Sequence, residues 1–148
     1  MVYVLATTVD GTRAALTAAV PLARGSRARL VVLVPQIVPY PLAVDGPTDA
    51  TVFTERRYRD LVHEADGEAD VKVYLCRTPN DILHTIPPAS TVVVGGASGA
   101  VLLSREERLS RQLTRLGYHT VFASNTRGSL VAYAAALLMM LAAVGVPH

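Results

Sequence analysis

Apolar residues along this chain form two patterns: short unbroken runs rich in β-branched side chains, and longer stretches where they recur every third or fourth position. The first run, residues 2–6, suits a strand buried on both faces. A turn over residues 7–11 separates it from a predicted helix capped by Thr12, in which Ala15, Leu16, Ala19, Val20 and Leu22 share a face through Ala23. Gly25 and Ser26 are read as the stop, and residues 29–34 as a second strand that Pro35 ends. A strand–helix–strand unit of this length implies a right-handed crossover and a parallel sheet.

Residues 36–52 follow Pro35 and hold Pro39, Pro41 and Pro47, which neither continue a helix nor pair in a central strand, so this stretch is predicted to be a surface loop. Residues 53–65 read as a helix with Tyr58, Leu61, Val62 and Ala65 as its apolar stripe. In residues 70–75, Val71, Val73 and Leu75 alternate with Lys72 and Tyr74, which predicts a third strand. A short helix over 79–86 turns Ile82, Leu83 and Ile86 inward and stops at Pro87 and Pro88. Residues 91–94 form a fourth strand that runs into glycine-rich residues 95–99. Ser104 opens a helix reaching about Leu116, and residues 118–123 form a fifth strand. The pattern predicts one α/β domain over residues 1–125.

Residues 128–147 break with both patterns, because they carry no charged side chain at all. At about 1.5 Å per residue, residues 130–147 would cover roughly 27 Å against a hydrocarbon core of about 30 Å. Neither face of such a helix offers anything more polar than Tyr133, which favours a C-terminal membrane anchor over the alternative, a helix packed in the core of a dimer. Arg127 immediately before the segment, with only His148 beyond it, places the preceding domain on the cytoplasmic side of the inner membrane.

Composition adds little to this picture and removes several classes. A net charge of +2 does not indicate a nucleic-acid partner. The basic residues are all Arg except Lys72, a bias that fits a GC-rich bacterial genome. The single cysteine, Cys76, excludes an intramolecular disulfide and a multi-cysteine metal site, and reads as a buried structural thiol. His63, His84, His119 and His148 lack metal-ligand spacing, and no nucleophile elbow or phosphate-binding lysine loop occurs, so no catalytic residue and no metal site are assigned.

Candidate binding residues cluster where strands should end. Gly96, Ser98 and Gly99 follow the fourth strand, where glycines let backbone amides approach a phosphate and the next helix offers its positive end. Asp10 follows the first strand, on the same edge of a doubly wound sheet. Ser104 and Glu107 have the spacing of a capping box. Arg105, Arg108, Arg111 and Arg115 make a basic stripe suited to phosphates or anionic lipid heads, or to plain solvation.

The order Val-Asp-Gly-Thr after the first strand, Thr-Pro-Asn-Asp-Ile-Leu before the fourth, Val-Val-Val-Gly-Gly-Ala-Ser-Gly at its end and Ser-x-x-Glu-Arg-Leu on the last helix resembles the universal stress protein family over residues 2–124. The resemblance implies a Rossmann-like α/β fold, a five-stranded parallel sheet with helices on both faces, and frequent homodimers. In one branch it implies ATP held by an Asp after the first strand and a Gly-x-x-Gly-x9-Gly-Ser/Thr loop. Asp10, Gly96 and Gly99 match, with Ser98 and Ser104 beside them. The second half of the loop departs, placing Leu103 or Leu109 where a glycine would meet phosphate. The resulting expectation is a non-enzymatic, membrane-tethered stress-response regulator or scaffold with an unidentified protein partner and weak or lost ATP binding. An ATP-binding member with slow hydrolysis is the alternative.

Overall fold

The structure, a computed structural model, describes residues 1–39, 49–97 and 102–124. Its elements run β1 (Val2–Leu5), α1 (Val9–Ser26), β2 (Leu30–Ile37), α2 (Asp49–Glu64), β3 (Asp70–Cys76), a 3₁₀ helix (Pro79–Thr85), β4 (Thr91–Gly96), α3 (Arg105–Arg115) and β5 (His119–Ser124). All four strand pairings are parallel, and the sheet order is β3-β2-β1-β4-β5. The predicted five-stranded parallel sheet is therefore present, with the direction of winding reversing between β1 and β4.

Neighbouring residues of a strand point to opposite faces, so an unbroken apolar run must be covered twice. Val2, Val4, Val32, Val34 and Val93 pack beneath α1 and beneath Tyr58, Leu61 and Val62 of α2. Tyr3, Leu5, Val31, Leu33, Val92 and Val94 pack on the other side against Ile82, Leu83, Ile86 and Leu113. Cys76 is buried as expected. Leu22, assigned to the apolar face of the first helix, is instead exposed, as are Leu102 and Leu116.

Several boundaries differ from the sequence reading, each for a local reason. Helix α1 starts four residues early, because the Thr8 hydroxyl accepts the Gly11 N–H at 3.0 Å and so caps the helix itself. Thr12 lies inside, fully buried, with its hydroxyl on the Thr8 carbonyl at 2.8 Å. Gly25 and Ser26 stay helical; the chain reverses at Arg27 in the left-handed region, φ 53°, and Ala28 N–H closes on the Ala23 carbonyl at 2.9 Å.

Strand β2 continues through Pro35 to Ile37. Leu33 accepts at its carbonyl from the N–H of Ala6, the residue just past β1, so Pro35, two residues on, turns its missing N–H to the same side, where β1 has already ended. Helix α2 begins at Asp49, inside the predicted loop, since Pro47 is the last proline before it. Among the described residues no helix is long and apolar enough to cross a membrane. The expected anchor, residues 128–147, lies outside the described residues.

Candidate functional site

A cavity of about 500 Å³ opens at the carboxyl ends of β1 and β2. Its floor is Leu5, Ala6, Val34, Pro35 and Ile37 at the strand ends. Thr7 and the cap Thr8 lead into α1, Pro79 and Asn80 start the 3₁₀ helix, and Tyr58 enters from α2. Helix α3 supplies Arg105, Glu106, Arg108, Leu109 and Gln112. The volume falls within the range of about 300–1,000 Å³ typical of small-molecule sites. Its place beside the reversal of winding is where open parallel sheets bind ligands.

Local bonds hold each wall. Thr7 donates its hydroxyl to the Gly95 carbonyl at 2.7 Å, tying the end of β1 to β4. Asp81 accepts from the backbone N–H groups of Arg77 at 3.0 Å and Thr78 at 2.9 Å, and from the Thr78 hydroxyl at 2.9 Å, which fixes the turn presenting Pro79 and Asn80. These bonds, above all those from Thr78, hold the Asp81 carboxyl below its ordinary pKa. The neighbouring Cys76 thiol is pushed up, first by burial and then by the Asp81 charge, so it is a poor nucleophile. Tyr58 is 9% exposed, and its hydroxyl has no partner among the described residues.

The predicted site residues are dispersed. Asp10 sits in the first turn of α1 and pairs with Arg13 at 2.8 Å; it does not line the cavity, whose wall at this point is Thr7 and Thr8. Gly96 is not part of a loop: it is the buried last residue of β4, paired with Ser124, and a Cβ there would lie 2.5 Å from the Glu106 side chain. Ser104 caps α3, accepting the Glu107 N–H at 3.1 Å while its own N–H donates to the Glu107 carboxylate at 2.7 Å. Ser98 and Gly99 lie outside the described residues. Leu109 lines the cavity, whereas Leu103 is an exposed residue ahead of α3.

Sequence reasoning missed Thr7, Thr8, Tyr58 and Asn80. The two threonines carried a readable signal, since they directly follow the first apolar run. Among the described residues no cluster of His, Cys, Asp and Glu is arranged to hold a metal.

No protein-family model matches the sequence, and no curated protein matches it. Solved structures do. A universal stress protein in complex with cAMP is 16% identical, with a TM-score of 0.55 over 85% of this chain and 98% of that one. A universal stress protein from Archaeoglobus fulgidus is 13% identical, with a TM-score of 0.56 over 83% of this chain and 93% of that one. The element order, the all-parallel pairing and these two likenesses agree that the chain has the universal stress protein fold.

Proposed function

We propose that the chain is a regulatory domain of universal stress type that senses a small nucleotide-like ligand and has no chemistry of its own. The cavity at the carboxyl edge, apolar on its floor and polar at its walls, carries this reading. The cAMP found in a structurally similar protein makes a mononucleotide the natural probe.

Weak ATP binding belongs to the same reading. Gly95 and Gly96 are spent on packing inside a strand, and Leu109 occupies cavity wall where an approach of backbone amides to phosphate would need open space. A non-enzymatic role is supported by the lining itself. The Thr7 hydroxyl is committed to a carbonyl, and the lining carboxylate, Glu106, lies across Gly96.

Tethering through residues 128–147 and a homodimer complete the proposal. The uncharged composition of that segment supports the tether. The dimer is supported by β5, which among the described residues pairs with β4 on one side only and leaves Val121 39% exposed.

Calorimetry on the full chain in detergent tests the binding reading. cAMP is expected to bind, and ATP with magnesium to bind more weakly than about 100 μM. Tight, magnesium-dependent ATP binding would make the protein an ATP-binding member with capacity for hydrolysis instead.

A further inference from the structure

Helix α3 enters the cavity with its positive end already engaged. The Ser104 hydroxyl takes the Glu107 N–H, Glu107 returns to the Ser104 N–H, and Glu106 and Glu107 place two carboxylates in the first turn. Those acids offset the partial positive charge that would otherwise draw an anion to the helix end. Beyond the cap, Arg105 and Arg108 line the cavity, and neither makes an ion pair or hydrogen bond among the described residues. The two arginines are exposed at one cavity wall, and each guanidinium offers a planar fork of donors that matches phosphate or carboxylate oxygens.

We propose that Arg105 and Arg108, rather than the glycines of β4, recognise the charge of the cavity's ligand, and that this ligand carries a single anionic group on an apolar body. The charge balance sets the limit of one. Among the described residues, the side chains of charged type lining the cavity are Arg105, Arg108 and Glu106, a sum of +1, which a single negative charge neutralises and a triphosphate overloads. The apolar floor takes the body of the ligand, while Tyr58, whose hydroxyl has no partner among the described residues, lines the same cavity and is available for a polar edge. This assignment rests on the ligand-binding reading above and adds to it the residues that discriminate by charge.

The test compares cAMP with adenosine, which share a base and differ in the anionic group, by calorimetry on the full chain. The native protein is expected to prefer cAMP by on the order of tenfold. Arg105→Gln with Arg108→Gln should collapse that preference, and Arg105→Lys with Arg108→Lys should restore part of it, with thermal unfolding confirming that each variant folds. Equal binding of cAMP and adenosine, or a preference that survives the glutamine variant, overturns the charge assignment and leaves the ligand-binding reading standing. If neither compound binds, that reading falls and the assignment falls with it.

Discussion

Gly95 shows how a single missing side chain can hold two layers of a fold together. A Cβ built there would lie 1.8 Å from the Gly11 carbonyl oxygen and 2.8 Å from the Ala15 nitrogen, both backbone atoms that cannot rotate away. Helix α1 therefore sits on β4 at backbone distance, and Gly11 repeats the requirement from its own side, 2.5 Å from the Gly95 carbonyl. Gly95→Ala should force the layers apart and destabilise by about 3 kcal/mol, the upper end of ordinary overpacking. Gly25→Ala provides the contrast. Nothing lies within 4 Å of its added Cβ and the residue is helical, so a gain of about 0.5 kcal/mol is expected. Urea unfolding of both variants checks the pair, and equal effects would refute the packing role assigned to Gly95.

At the scale of elements, the turn after β3 depends on one carboxylate. Asp81 gathers three donors, and its pKa is lowered because all three favour the charged form. A depressed folded-state pKa means that the stabilisation is complete above the unfolded value of about 3.9 and is lost as pH falls through the folded value. Asp81→Ala should therefore be less stable than the native chain at pH 6, and the gap should narrow below about pH 4. Chemical unfolding across that range reads it directly; a gap unchanged down to pH 2 would contradict the linkage. Helix α3 offers a second measure, since Ser104→Ala removes its cap and should cost about 1 kcal/mol. That cap was readable from Ser-x-x-Glu alone because both partners lie within one turn. The Thr8 cap was harder to read, because Asp10-Gly11 looks like a turn until the Gly11–Gly95 contact explains the glycine.

For the whole molecule, the parallel sheet brings the ends of β1 and β2 and the starts of the following helices to one edge, and the cavity lies there. Where the protein resides is a separate matter, for which residues 128–147 are the proposed tether. The full chain is expected to sediment with membranes and to resist a high-salt wash, whereas a chain ending at Thr126 should remain in the supernatant with its fold intact. Recovery of the full chain in the supernatant without detergent would reject the tether and favour a dimer helix.

The amino-acid order alone determined the strand and helix sequence, the parallel crossover, the buried faces of α1 and α2 and the cap of α3. Each depends on periodicity or on partners within a few residues, and these are local physical signals. Tertiary structure alone decided that Pro35 stays in a strand, that Gly95 and Gly96 are packing residues, and that Asp10 faces solvent beside Arg13. It also decided which side chains share the cavity. Thr7, Tyr58, Asn80 and Arg105 come from four segments far apart in the chain, and only the sheet that orders those segments sets the distances between them.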